Sequence, residues 1–307
     1  MSLPQPEILA VHGPASARER LQMARTAVPV GVQRVKHFNS FLEAVPRPEA
    51  SDDSAPLLGA SLAADLSDLT FRAVGEAGAM VEGALAFYRS LGTPEGARNR
   101  MLAMSRQLKP RQLGTFFEGS AGGGDVGWWF PGNYSMATAL GQVTAGSHIE
   151  ALRAWALAHE VTTVLAIGGT VASAFTTLDV ALPGTPAQQM AVALDLYARL
   201  QVRTPPTQAT DALVAAGKPI SLSLWLGVPE DAGDTGVAKI GLLQELPSTR
   251  LVLELCQLAG IRQDATLATF EGYLDVPGAT AVEVRAVAGL LALDLHYNAG
   301  ADHVTVP

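Results

Sequence analysis

Cysteine is almost missing from this 307-residue chain, where Cys256 stands alone. That excludes an intrachain disulfide framework and any multi-cysteine zinc or iron–sulfur site. Charge is scarce as well: Asp, Glu, Lys and Arg make up 16% of the residues, against about 25% in an average soluble domain. Apolar residues reach 48%, so the chain has the means to bury a core and wholesale disorder is excluded. Long hydrophobic runs are also lacking. The longest charge-free apolar stretch, Val161 to Leu178, covers 18 residues but holds five threonines and Gly168-Gly169, whereas a membrane span needs about 20 strongly apolar residues. It reads as a buried segment, and no membrane partner is expected. The first twenty residues carry no basic region followed by an apolar one, the pattern of a secretory signal. A reducing, non-secreted setting is the expectation.

What charge there is lies unevenly. Residues 1–112 hold 13 basic against 11 acidic side chains, and residues 113–307 hold 8 against 18, which together give the net charge of −8. A locally basic region, 1–112, and an acidic region, 113–307, follow as the expected division. Arg18, Arg25, Arg34 and Lys36 form one basic group, and Arg98, Arg106, Lys109 and Arg111 another. An arginine-rich surface on an acidic protein can grip phosphates. A solvated helix face explains the same residues without any ligand.

Local signals favour helices. The stretch after Pro14, the run Val32 to Val45 and the region from about Leu57 to Leu91 all read as helical. The next helix starts at Thr93-Pro94-Glu95 and stops at Pro110, with Met101 and Met104 on a core stripe and Arg98, Arg106 and Lys109 opposite. Residues 46–56 read as an acidic, proline-rich linker loop. Residues 114–132 carry seven glycines among Phe116, Phe117, Trp128, Trp129 and Phe130. Such glycine density predicts a tightly turned or mobile loop whose aromatic rings must be buried or stacked. Further helices are expected at 148–159, 187–201, 207–216, 249–258 and 281–297, with one clear strand at Ile220 to Leu226, and no fixed-period repeat is visible. The fold class expected is mainly α with a minority of β (α+β), a helical N-terminal region followed by a mixed C-terminal one.

Chemical motifs are weak. Gly122, Gly124 and Gly127 spell G-x-G-x-x-G, but Trp-Trp-Phe-Pro-Gly follows where a helix is required. Gly217-Lys218 lacks the Ser or Thr of a phosphate loop. No G-x-S-x-G elbow or H-E-x-x-H pair occurs. Glu230, Asp231 and Asp234 read as a solvated turn, Cys256 as a small buried hydrophobe, and His296 and His303, with Asp294 and Asp302 beside them, as ordinary surface or helix-end histidines rather than a ligand cluster. No catalytic residue, metal or cofactor is assigned.

Two functional expectations result. The first is a self-assembling structural protein of viral coat or nucleocapsid type, not an enzyme, located in a virion or the cytoplasm. It would pack against copies of itself and hold RNA through Arg18, Arg25, Arg34, Lys36, Arg98, Arg106, Lys109 and Arg111. The alternative is a soluble α/β enzyme or small-molecule binding protein. Its pocket would lie near 114–132, with Trp128 and Trp129 in its wall and Glu118, Asp125 and His148 as acid/base groups.

Overall fold

The computed structural model describes residues 16–28, 32–47, 55–118, 125–143, 147–171, 175–227, 236–261 and 265–301. Ten antiparallel strands close into one barrel: β1 (Leu57–Ala63), β2 (Leu69–Glu76), β3 (Gln112–Glu118), β4 (Val126–Ser135), β5 (Thr163–Thr170), β6 (Thr176–Ala181), β7 (Ile220–Leu226), β8 (Val237–Glu245), β9 (Ala281–Val287) and β10 (Leu290–Ala301). Each strand pairs with its neighbours in sequence, and β1 pairs with β10 to close the ring. Closure leaves no strand edge to aggregate.

Helices arrive in pairs between the hairpins. α1 (Ala17–Thr26) and α2 (Val32–Ala44) precede β1, and α3 (Ala77–Ser90) and α4 (Glu95–Leu108) precede β3. α5 (Met136–Leu140) and α6 (Ser147–Ala158) precede β5, while α7 (Pro186–Arg199) and α8 (Thr207–Ala215) precede β7. α9 (Thr249–Leu258) and α10 (Ala265–Leu274) precede β9. Among the described residues the chain thus forms five helix–helix–strand–strand units, whose hairpins begin at residues 57, 112, 163, 220 and 281. This repeat is invisible in the sequence because the units share a layout and no residue pattern. β3 itself runs across the 112/113 position where the charge balance changes.

The expectation of a mainly helical α+β fold is therefore corrected, and the physical reason lies in which face of each strand is apolar. In β2 the burial alternates strictly, with Leu69, Phe71 and Ala73 buried and Thr70, Arg72 and Val74 half-buried. The buried row points outward to the helices and the other row points into the lumen. β10 does the same, with Leu291, Leu293, Leu295 and Tyr297 buried in the helix layer. The core is thus a shell between barrel and helices, holding Phe38, Phe41, Phe71, Phe87, Trp128, Phe130, Trp155 and Phe270. The interior is left open and lined by charged and aromatic side chains, the reverse of a small barrel filled by its own core.

The two helices expected at 57–91 and 281–297 are hairpins over most of their length. Leucine and alanine rich strands such as Leu57–Ala63 carry residues that favour helices, and ring closure overrides that preference. The apolar run at 161–178 is the β5–β6 hairpin. Within 114–132, the expected loop is mostly strand. Pro131 fits there because β3 pairing ends at Trp129 and the β4–β5 register shifts between Pro131 and Tyr134, so no ladder hydrogen bond is lost. The strand at 220–226 and the helices near 95–108 and 249–258 stand where the local signals put them. Part of the acidic linker (48–54), Gly122 and Gly124, the turn with Glu230, Asp231 and Asp234, and His303 lie outside the described residues.

Candidate active site in the barrel lumen

The lumen is a cavity of about 1140 Å³. Glycines on the strands make room for it by facing large neighbours. A Cβ at Gly114 would lie 2.1 Å from the Trp129 indole, one at Gly127 would lie 2.5 Å from the Phe116 ring, and one at Gly241 would lie 2.2 Å from Oε1 of Glu283. Glycine inside a strand commonly marks such a close approach. Gly114 and Gly127, two of the glycines in 114–132, therefore leave room for two aromatic rings on the barrel wall.

Aromatic rings line one side. Phe116 stands 6.4 Å from Trp129 and 6.0 Å from Trp225, and Phe175 stands 6.4 Å from Trp225. Since β3 and β7 are not adjacent, the Phe116–Trp225 contact reaches across the lumen. Nζ of Lys239 sits 5.0 Å above the Trp225 ring, within cation–π range.

The other side is charged. Lys239 Nζ reaches Glu283 Oε2 at 3.0 Å and Asp294 Oδ2 at 3.6 Å, and Arg285 donates to Asp294 Oδ2 at 2.5 Å. Ser61 Oγ and His296 Nδ1 are hydrogen-bonded at 2.6 Å, with His296 Nε2 3.8 Å from Glu283 Oε2. Enclosure and the nearby cations Arg72, Lys239 and Arg285 hold the His296 imidazole well below its ordinary range, so it is neutral at physiological pH. Arg72 lines the same space and makes no hydrogen bond or ion pair among the described residues. Burial lowers its pKa, with the carboxylates of Glu283, Asp179, Asp294 and Glu118 opposing the shift. It stays a cation with no carboxylate in salt-bridge contact among the described residues.

Two lumen carboxyls make no salt bridge among the described residues and feel Lys239, and for Asp179 also Arg72, only at longer range. Burial raises Glu118 to about 7, and Asp68 adds to the shift. Burial and the neighbouring charge of Glu283 raise Asp179 to about 6, against the pull of Arg72, Lys239 and a hydrogen bond from Ser223. Among the described residues, no three His, Cys, Asp or Glu side chains converge as a metal site.

Glu118 and Trp129, named from the sequence as part of a pocket, do face this cavity, and Asp125 lines it too. Trp128 points the other way into the helix layer, beneath the Arg100 guanidinium. His148, buried against Gly236, does not line the lumen. Among the described side chains, none of the basic residues singled out in the sequence lies there. Arg18 is buried and donates to the carbonyls of Leu42 and Val45 at the end of α2, Arg25 lies over the Phe38 ring, and Arg98 donates to the Thr93 carbonyl. Lys36, Arg106, Lys109 and Arg111 are exposed on the outside, and the side chain of Arg34 lies outside the described residues.

The lumen residues that sequence reasoning missed are Arg72, Asp179, Ser223, Trp225, Lys239, Glu283, Arg285 and Asp294, together with His296, which had been read as a helix-end histidine. Their signal was strict alternation, as in Leu291, Leu293, Leu295 and Tyr297 against Asp294, His296 and Asn298. A helical reading of that segment hid it.

No protein-family profile matches the chain. A PH domain-containing protein of Dictyostelium discoideum is 24% identical over 283 residues, covering 88% of this chain and 61% of that protein, so the chain spans under two thirds of its relative. Among solved structures, AnaPT from Neosartorya fischeri aligns over 95% of this chain and 93% of its own with a TM-score of 0.59 at 11% identity. NotF, solved with brevianamide F and DMSPP, aligns over 98% and 100% with a TM-score of 0.55 at 12% identity. A further structure of NotF, described as a prenyltransferase, aligns over 92% of each chain with a TM-score of 0.55 at 12% identity. These likenesses establish the fold and correct the leading expectation. The closed-barrel fold shared with these structures overturns the reading as a capsid or nucleocapsid subunit that packages RNA, and with it the expectation against an enzyme.

Proposed function

We propose that the lumen is the active site of a group-transfer enzyme that moves an allylic (prenyl) group from its diphosphate to an aromatic acceptor. One juxtaposition carries this reading: the anion-seeking Arg72, with Lys239 and Arg285, shares an enclosed cavity with Trp129, Trp225, Phe116 and Phe175. The prenyl-transfer activity of NotF on the same fold supports it.

The chemistry follows from what each group can do. Guanidinium and ammonium groups bind diphosphate oxygens through charge-assisted hydrogen bonds that strengthen as the C1–O bond breaks and its electron pair leaves with the diphosphate. The aromatic faces stabilise the allylic cation through their negative quadrupoles and keep water from capturing it. The acceptor ring then supplies the electron pair for the new C–C bond, and its displaced proton passes to a carboxylate. Glu118, raised to about 7, is matched to that exchange near neutral pH.

The test is incubation of the full chain with dimethylallyl diphosphate and a panel of indole-containing acceptors, reading inorganic diphosphate release and prenylated product by mass. Wild type should turn over and Arg72→Leu should not. Absence of turnover for every donor chain length and acceptor, with diphosphate binding indifferent to Arg72→Leu, would refute the reading.

A further inference from the structure

The charge balance of the lumen says something about its second occupant. Seven carboxyl side chains line the cavity against three basic ones, Arg72, Lys239 and Arg285. Two of those basic groups are already engaged, Lys239 with Glu283 and Asp294, and Arg285 with Asp294. A bound diphosphate brings more negative charge, and an uncompensated charge in an enclosed site is costly.

The surplus has a definite place on the wall. Asp179 on β6 pairs in register with Ser223 on β7, and Ser223 pairs with Gly241 on β8. Glu283 on β9 extends over Gly241, whose missing side chain leaves the space that its Oε1 occupies. The carboxyls of Asp179 and Glu283 therefore flank the Ser223 hydroxyl along one row of the barrel. Trp225 lies two residues further along β7 on the same face. The Glu283 side chain is 3% exposed, and while its Oε2 takes Lys239, its Oε1 is buried with no hydrogen-bond partner. A buried carboxylate oxygen without a donor is an expensive vacancy that a ligand N–H can fill. Arg72 and Lys239 offset the repulsion between Asp179 and Glu283 only in part, since Asp179 stays raised, and a further positive group placed between them relieves it.

We infer that Asp179, Glu283 and Ser223 form a cradle for a positively charged nitrogen, an ammonium or guanidinium, carried by the acceptor beside its aromatic ring. Such an acceptor neutralises part of the surplus when the diphosphate is also bound, so an anionic or neutral acceptor is discriminated against. The inference deepens the transfer reading and rests on it only in calling this ligand the acceptor; the cradle stands on the geometry of the wall.

The experiment is calorimetric titration of the full chain at pH 8 with tryptamine and with tryptophol, which share an indole and differ in ammonium against hydroxyl. Tryptamine should bind at least about tenfold more tightly, the scale expected for one charge-assisted hydrogen bond. Asp179→Asn and Glu283→Gln should each bring tryptamine down toward tryptophol while leaving tryptophol unchanged, with thermal melts confirming that both variants fold. Equal affinity of the two probes for wild type, no binding of either at millimolar concentration, or a preference that survives in both variants would overturn the cradle. A retained tryptamine preference with no diphosphate release from any donor supports the cradle and sinks the transfer reading, so the two fail separately.

Discussion

Replacing Glu118 with glutamine separates the cost of a buried charge from the loss of a contact. Burial in the lumen, helped by the nearby Asp68 carboxylate, raises the Glu118 pKa from 4.5 to about 7, and Lys239 only partly offsets this. At about 1.4 kcal/mol per pH unit, the ionised side chain costs the folded state about 3 kcal/mol once the pH exceeds 7. The direction follows from proton linkage. Between pH 4.5 and about 7 the folded chain keeps a proton that the unfolded chain has released, so stability falls as pH rises through that window. The stabilisation is fully present below 4.5 and lost above about 7. Glutamine is neutral throughout and keeps an oxygen to accept from the Asp125 N–H, which lies 3.3 Å from Glu118 Oε2. Urea unfolding should therefore give equal stability for wild type and Glu118→Gln at pH 4, and a variant more stable by about 3 kcal/mol at pH 8. A variant less stable than wild type at pH 8, or a difference independent of pH, would refute the placement of this carboxyl as an enclosed group without a salt bridge.

Three further outcomes are expected. Arg72→Leu should weaken inorganic diphosphate binding by about 10- to 100-fold in calorimetry, the range for charge-assisted hydrogen bonds; unchanged affinity would remove Arg72 from the anion site. Gly114→Ala, whose Cβ would meet the Trp129 ring at 2.1 Å, should destabilise the barrel by about 1–3 kcal/mol as overpacking does, and a near-ultraviolet dichroism signal identical to wild type would show that Trp129 is not pressed there. Arg18→Met should cost about 1–3 kcal/mol in chemical denaturation, because the buried Leu42 and Val45 carbonyls lose their donor; a neutral effect would mean that water replaces the guanidinium.

Several features were legible in the sequence because they depend on neighbours along the chain. The helix at 95–108 follows from Pro94, Glu95 and the methionine stripe, and the strand at 220–226 from its alternation. The burial of Cys256 follows from its apolar helix. Glu118 and Trp129 could be singled out because an aromatic, glycine-rich segment must pack somewhere. What only the tertiary structure decided was the ring. Hairpins such as Leu57–Glu76 and Ala281–Ala301 are built from leucine, alanine and valine, residues whose helical or extended choice is settled by the strands they meet. Closing ten strands turned the alternation inside out, sending leucines to the helices and Arg72, Asp179, Lys239, Glu283 and His296 into the lumen. These residues stand on five different strands, and no spacing along the chain could show them facing one another. The arginines prominent in the sequence were prominent because they cluster along the chain, whereas a site is made by convergence across it.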